Sequence, residues 1–135
     1  MSSRAQRKAN ARRDRGQTPS LPPTNPWLPP SAELCEEKVV LVEPDTTNRV
    51  IMRLVTYDKQ LVEYAITHVT LVGANSWEEV SSVDTKHGVV HLHLGADHKR
   101  VNDLRSIHSQ IDVQSSFNDS YDTIYDNYEQ FKDTL

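Results

Sequence analysis

The chain has 135 residues, of which 36% are hydrophobic and 25% charged, and its formal net charge is −4 at pH 7. This length suits one domain with a tail rather than two full cores, and no apolar run approaches the roughly 20 residues needed to cross a bilayer. Cys35 is the only cysteine, which excludes an internal disulfide and a zinc site built from several cysteines. Because the N-terminus lacks the apolar stretch of a signal peptide, we expect a cytoplasmic protein.

The first sixteen residues differ in charge from the rest of the chain. Six basic residues and Asp14 give this segment a net charge of +5, so the remaining residues carry −9. Apart from Met1 the segment has no large apolar side chain, and we predict that it is disordered when free. Its cations either contact the phosphates of RNA or DNA without reading sequence or serve as a solubilising tail. These candidate nucleic-acid-binding residues are Arg4, Arg7, Lys8, Arg12, Arg13 and Arg15.

A proline-rich segment follows, with six prolines between Pro19 and Pro30. Proline fixes φ and restricts the residue before it, which predicts an extended, semi-rigid spacer. Trp27 and Leu28 lie within it, and we expect them to dock either on the chain's own domain or, as part of a polyproline motif, on a partner. The sequence therefore predicts a disordered tail and linker over residues 1–33 and a single domain over residues 34–135.

The next part of the chain reads as β-strands joined by short turns. The runs "KVVLVE", "RVIMRLVTY", "LVEYAITHVTLVG", "WEEVSSV" and "VVHLHLG" are rich in β-branched residues and are separated by turn-forming residues. In the third run, Val62, Tyr64, Ile66, His68 and Thr70 share one face of the strand. This pattern predicts an antiparallel β-meander of four to five strands.

The C-terminal part changes to helical spacing. In "VNDLRSIHSQI", apolar residues recur at intervals of three, three and four from Val101 to Ile111, which predicts a first helix. A second helix is predicted with Asn118 as its N-cap and an acidic outer face. The fold class is therefore α+β, with one or two C-terminal helices covering the sheet. The apolar stripe of the second helix consists of Phe117, Tyr121, Ile124, Tyr125, Tyr128, Phe131 and Leu135.

Four of the six histidines lie within "DTKHGVVHLHLGADHKR", which begins at Asp84. Strand alternation places Val90, Leu92 and Leu94 towards the helix, so His91 and His93 lie on the opposite face. Asp84 and His87 belong to the preceding turn, and His98 and Lys99 to the following loop.

Three interpretations of these residues are open. They are polar residues of a solvated strand face, or ligands of a metal ion completed by His87, His98 or Asp84, or a site for proton transfer on an RNA phosphodiester. In the third case histidines remove and deliver a proton, and Asp84 orients one of them. No motif predicts a cofactor, and we favour proton transfer over metal binding. The candidate catalytic residues are His91, His93, His87, Asp84 and Lys99.

The order "YDKQLVEYAITHVTLVGANSWEEVSSVDTKHGVVHLHL", residues 57–94, resembles a family of uncharacterised small domains found mostly in bacteria and their phages. The family combines a "W-x-x-V" strand, an Asp-Thr-x-His-Gly segment, further histidines and an aromatic C-terminal helix. No activity is established for it. The matching residues are Trp77, Val80, Asp84, Thr85, His87, Gly88, His91 and His93.

More distantly, the chain resembles the TumE-type toxins of toxin–antitoxin pairs. Those proteins have an Asp-Asn-x-His-His segment and a later His-His-Lys-His cluster. Asp84 and His87 match the first, with Thr85 in place of asparagine, and His98 with Lys99 matches the second. We therefore expect a small cytoplasmic bacterial or phage protein, toxin-like or associated with nucleic acid, with metal-free RNA cleavage at its histidines. The alternative is a non-catalytic module whose acidic body binds another protein.

Overall fold

The computed structural model describes residues 27–95 and 100–132. The predicted basic segment, residues 1–16, lies outside this part of the chain. Each of six strands pairs antiparallel with the next, so the sheet is an uninterrupted meander in the order β1 to β6. Two helices follow the last strand. The elements are β1 (Glu36–Asp45), β2 (Asn48–Tyr57), β3 (Gln60–Val72), β4 (Ser76–Asp84), β5 (Val89–Leu94), β6 (Arg100–Ser106), α1 (Gln110–Asp126) and α2 (Tyr128–Lys132).

The α+β class and the antiparallel meander are confirmed, but the sheet has one more strand than predicted. Residues predicted as the first helix form β6 instead, so that prediction is wrong. The three- and four-residue spacing misled because Val101 and Leu104 are 46% and 45% exposed on an edge strand, while Ile107, just past the strand, is buried. Their spacing therefore does not mark one buried helix face.

Helix α1 begins earlier than the predicted N-cap at Asn118. Ser109 occupies the N-cap position, and Asp112 Oδ2 accepts a 2.8 Å hydrogen bond from the backbone N–H of His108. The segment "DVQSS", residues 112–116, has a weak intrinsic preference for a helix. Tertiary packing outweighs that weak preference, because Val113 and Ser116 are buried against the sheet.

The predicted apolar stripe is divided between the two helices. Ile124 is fully buried, whereas Phe117, Tyr121 and Phe131 are partly buried against the core. The helix breaks at Asn127, and Leu135 lies outside the described residues.

Helix α1 covers one face of the sheet, mainly over β3. As the alternation predicted, Val62, Tyr64, Ile66 and His68 point to this covered face and are fully buried. Small side chains on the helix allow Tyr64 to reach across the interface. Its hydroxyl shares hydrogen bonds of 2.7 and 2.8 Å with two buried α1 serines, which are Ser116 and Ser120.

The core extends upstream of the predicted domain boundary at Leu34. Trp27 is 2% exposed and belongs to the main hydrophobic cluster, and its Nε1–H donates to the Val62 carbonyl oxygen at 3.4 Å. Leu28, in contrast, is 66% exposed. Of the two expectations for Trp27, docking on the chain's own domain is the one observed. No helix in the described part of the chain is long and apolar enough to span a membrane.

Candidate functional site

The opposite side of the sheet carries no α-helix within residues 27–95 and 100–132, and we call it the open face. The predicted histidines lie on it, on β5 and in the turn before β5. His91 pairs in register with Asp84 of β4 and with Asp103 of β6, so the three side chains form one row across the strands. Side chains opposite each other on neighbouring strands have Cβ atoms about 5 Å apart. We call Asp84, His87, His91, His93 and Asp103 the histidine cluster.

His91 is held at both ring nitrogens. Nδ1 lies 2.8 Å from Asp103 Oδ1, and Nε2 lies 3.0 Å from the Lys86 carbonyl oxygen. Both partners are acceptors, and a neutral imidazole has only one N–H to donate. The doubly protonated ring is therefore the form that satisfies both contacts.

A second histidine–carboxylate pair lies beside the first. His93 Nε2 is 3.3 Å from Asp84 Oδ2, and these side chains are 20% and 15% exposed. The other oxygen of Asp84 accepts a 3.1 Å hydrogen bond from the Lys86 backbone N–H, which ties the strand to the turn that follows it. The rings of His91 and His93 are 5.8 Å apart. Asp84 thus lies within ion-pair distance of a histidine.

His87 is the exposed histidine of the cluster. Its backbone adopts φ 60° and ψ 27°, a left-handed conformation that is uncommon for a residue with a side chain. Gly88 also has positive φ, and its carbonyl oxygen accepts the Ile107 N–H at 2.8 Å, which fixes the turn to the end of β6. This conformation holds the His87 ring 6.5 Å from that of His91. Backbone strain of this kind often accompanies functional sites.

The structure thus assembles four of the five predicted catalytic residues: Asp84, His87, His91 and His93. Lys99 lies outside the described residues, as do His98 and all six candidate nucleic-acid-binding cations. Among the described residues, no three histidine, cysteine or acidic side chains are grouped so as to hold a metal ion.

Asp103 is the member of the cluster that sequence reasoning missed. A β-bulge between β5 and β6 shifts the register after Val90, so that His91 faces Asp103 while Val90 faces Arg105. No local pattern marks this pairing, because the apolar spacing around Asp103 predicts a helix rather than a strand.

Two arginines on the same face are already engaged by carboxylates. Arg53 contacts Glu37 at 3.0 Å and Glu63 at 3.1 Å. Arg49 contacts Glu43 at 3.0 Å and lies 4.0 Å from the centre of the indole ring of the β4 tryptophan. These pairs form a charged surface separate from the histidine cluster.

Cys35 does not have the environment of a nucleophile. It borders a cavity of about 150 Å³ beside Arg53 and Glu63. Burial, and secondarily the Glu63 charge, raise the pKa of the thiol. A raised pKa decreases the thiolate fraction, which is the reactive form.

A polar network on the covered face contains another histidine. His68 is fully buried, and its Nε2 lies 2.8 Å from Asn48 Oδ1. Asn48 Nδ2 donates to Asp45 Oδ1 at 3.0 Å, and the Tyr128 hydroxyl donates to Asp45 Oδ2 at 3.0 Å. These hydrogen bonds, led by that from Asn48, lower the pKa of Asp45 to about 2. The network joins α2 to the β1–β2 turn and is anchored by the buried His68 and Asn48, so it has a structural role.

No protein-family model matches the chain, and no curated protein and no solved structure shows significant similarity to it.

Proposed function

We propose that the protein cleaves RNA by general acid–base catalysis without a metal ion, at the histidine cluster of the open face. The observation that carries this proposal is the placement of two adjacent histidine–carboxylate pairs beside an exposed third histidine. The 6.5 Å between the rings of His87 and His91 leaves room for a phosphodiester between a base and an acid. The resemblance to TumE-type toxins supports the same assignment.

In the proposed reaction His87 is the general base and His91 the general acid. Neutral His87 takes the proton of a ribose 2′-hydroxyl, and the 2′-oxygen attacks the adjacent phosphorus. The bond from phosphorus to the 5′-oxygen breaks, and doubly protonated His91 gives its Nε2 proton to that oxygen. The products are a 2′,3′-cyclic phosphate and a free 5′-hydroxyl. Proton transfer of this kind contributes about 10²- to 10⁴-fold to a rate.

The two carboxylates are positioning residues in this scheme. Asp103 accepts from Nδ1 of His91 and so directs Nε2 towards the substrate, as carboxylates do for histidine in other proton-transfer sites. Asp84 holds His93 and also fixes the turn that carries Lys86 and His87. The Lys86 ammonium group lies on the exposed turn next to His87, where it offsets charge on the phosphate.

One contact must change during the reaction. The Nε2 atom of His91 faces the Lys86 carbonyl in the free protein, and the leaving oxygen must replace that carbonyl. Catalytic hydrogen bonds often form fully only when the substrate is bound. We therefore expect the turn containing His87 to shift on binding RNA.

The test is cleavage of a single-stranded oligoribonucleotide in the presence of a chelator. The wild type should produce 2′,3′-cyclic phosphate ends, and a 2′-deoxy substitution at the cleaved position should block the reaction because it removes the nucleophile. His87→Gln and His91→Gln should each lower the rate by about 10²-fold or more. His108→Gln is the matched control, since His108 is exposed outside the cluster.

Three results would contradict the proposal. They are an inactive wild-type protein, an activity abolished by the chelator, or an equal loss in the His108→Gln control and the cluster variants.

A further inference from the structure

Four exposed acidic residues lie along the outer side of the two helices. Asp119, Asp122, Asp126 and Glu129 are exposed and follow one another at intervals of three, four and three residues. Within α1 this spacing places the three aspartates on one side, opposite the buried Ile124, and Glu129 follows just past the break at Asn127. We call these four residues the acidic helix surface. Helix α1 contains no lysine or arginine, and Arg49, Arg53 and Arg105 pair with carboxylates elsewhere.

Aromatic rings border this surface. Tyr121 and Tyr125 have ring centres 5.5 Å apart, and Tyr125 and Tyr128 are 6.1 Å apart. Burial raises the pKa of Tyr121, and the neighbouring Tyr125, Asp122 and Asp126 raise it further, which indicates a negative local potential. Carboxylates beside tyrosine rings are the surroundings that suit guanidinium groups, which form both ion pairs and cation–π contacts.

We propose that the occupant of the acidic helix surface is the basic segment of the same chain, residues 4–15. That segment carries five arginines and one lysine against a single Asp14, so its charge complements the four carboxylates. The contact is electrostatic and needs no pocket, which suits a flat helix surface.

The position of Trp27 makes the contact reachable. Trp27 donates to the carbonyl of Val62, and Gln110, the first residue of α1, donates to the neighbouring carbonyl of Leu61. The upstream chain therefore leaves the domain near the N-terminal end of α1. In the extended conformation expected for a proline-rich chain, eleven residues such as 16–26 would span about 34 Å at roughly 3.1 Å per residue, whereas the 17 residues of α1 extend about 25 Å. The linker is long enough to carry the cations along the helix.

This contact gives the basic segment two competing anionic partners. The same cations that bind nucleic acid are engaged by the acidic helix surface when no nucleic acid is present, so a polyanion must displace them. The proposal does not depend on catalysis by the histidine cluster, because it concerns a different face and a different set of charges.

Limited digestion of the full chain with trypsin tests the proposal, with release of the N-terminal peptides followed by mass spectrometry. The neutralised variant is Asp119→Asn, Asp122→Asn, Asp126→Asn and Glu129→Gln. At low ionic strength its N-terminal arginines should be cut roughly tenfold faster than those of the wild type, the combined effect of four exposed ion pairs. Raising the salt concentration should remove the difference.

The matched control neutralises four exposed carboxylates elsewhere, with Glu33→Gln, Glu36→Gln, Asp58→Asn and Glu78→Gln. Its cleavage rate should remain close to that of the wild type. Equal rates for the neutralised variant and the wild type, or equal acceleration in the control, would overturn the proposal. Protection that increases with protein concentration would assign the contact to a second copy and would overturn the intramolecular form. Thermal unfolding of each variant verifies that the helices remain folded.

Discussion

The two faces of the sheet use histidine in opposite ways. On the covered face, His68 is fully buried and bonds within a network that links the sheet to α2. On the open face, His91 and His93 are paired with carboxylates at the surface, and His87 is exposed. The covered face buries its polar groups among apolar side chains, whereas the open face keeps titratable groups together within reach of water.

The covered face is therefore expected to stabilise the fold, whereas the open face carries the groups that we propose transfer protons. Most of the free energy of folding should come from the covered face, where apolar area is removed from water. The Asp103 carboxylate is 67% exposed, so its pair with His91 should contribute little to the free energy of folding. Substitutions on the two faces should therefore have different consequences.

The largest loss of stability should follow Trp27→Ala. This residue is 2% exposed and packs in the main core although it lies in the proline-rich segment. Truncating a buried aromatic residue typically costs about 3–5 kcal/mol. Urea unfolding measures the change. Leu28→Ala is the control, because Leu28 is adjacent to Trp27 in the sequence but is mostly exposed. A loss below about 1 kcal/mol for Trp27→Ala would mean that the core does not include this segment.

Ile124→Ala should cost about 2–5 kcal/mol, because the side chain is fully buried between α1 and the sheet. Asp126→Ala, two residues later on the exposed side of the same helix, should change the free energy of unfolding by about 0.5 kcal/mol or less. The two variants share an element and differ in the face they occupy. Similar losses in both would show that the helix is rotated relative to the sheet.

Tyr64→Phe tests the polar contacts of the covered face. The substitution keeps the ring, which packs edge-to-face on Phe117, and removes the hydroxyl that contacts Ser116 and Ser120. Without this hydroxyl the two buried serines lose a hydrogen-bond partner, and the free energy of unfolding should fall by about 1–3 kcal/mol. Tyr57→Phe, a change on a half-buried ring, serves as the control in the same unfolding assay.

The acid dependence of stability should report on Asp45. Its pKa in the folded state is about 2, below the value of roughly 3.9 for an unfolded chain. The folded state therefore binds the proton less tightly, and the stabilisation is complete above about pH 4 and is lost as the pH falls towards 2. Asp45→Asn should lack this part of the acid-induced loss when unfolding is followed from pH 5 to pH 2. Parallel curves for both proteins would contradict the role of the network.

Period-two patterns in the sequence predicted both faces of the sheet correctly. Alternation along β3 identified the buried residues, and alternation along β5 separated Val90 and Leu92 from His91 and His93. These predictions hold because a strand has a fixed two-residue repeat. The turn also brings Asp84 and His87 to the histidines, since both are close to them in sequence.

Contacts that depend on register could not be predicted. The β-bulge after Val90 determines that Asp103 meets His91, and no local pattern marks such a bulge. Docking of Trp27 could likewise be expected from the sequence. Its hydrogen bond to the Val62 carbonyl, 35 residues away in β3, could not. The incorrect prediction of a helix at β6 has a related cause. An edge strand buries few side chains, so the spacing of its apolar residues does not indicate its secondary structure.

The most direct test of the separation between faces compares two adjacent residues of β5. Val90 is 1% exposed on the covered face, and His91 follows it on the open face. Urea unfolding at neutral pH should give a loss of about 2 kcal/mol for Val90→Ala and a smaller loss for His91→Ala, because its partner Asp103 is 67% exposed and stays hydrated. Equal losses, or a larger loss for His91→Ala, would contradict the division between a stabilising covered face and a chemically active open face.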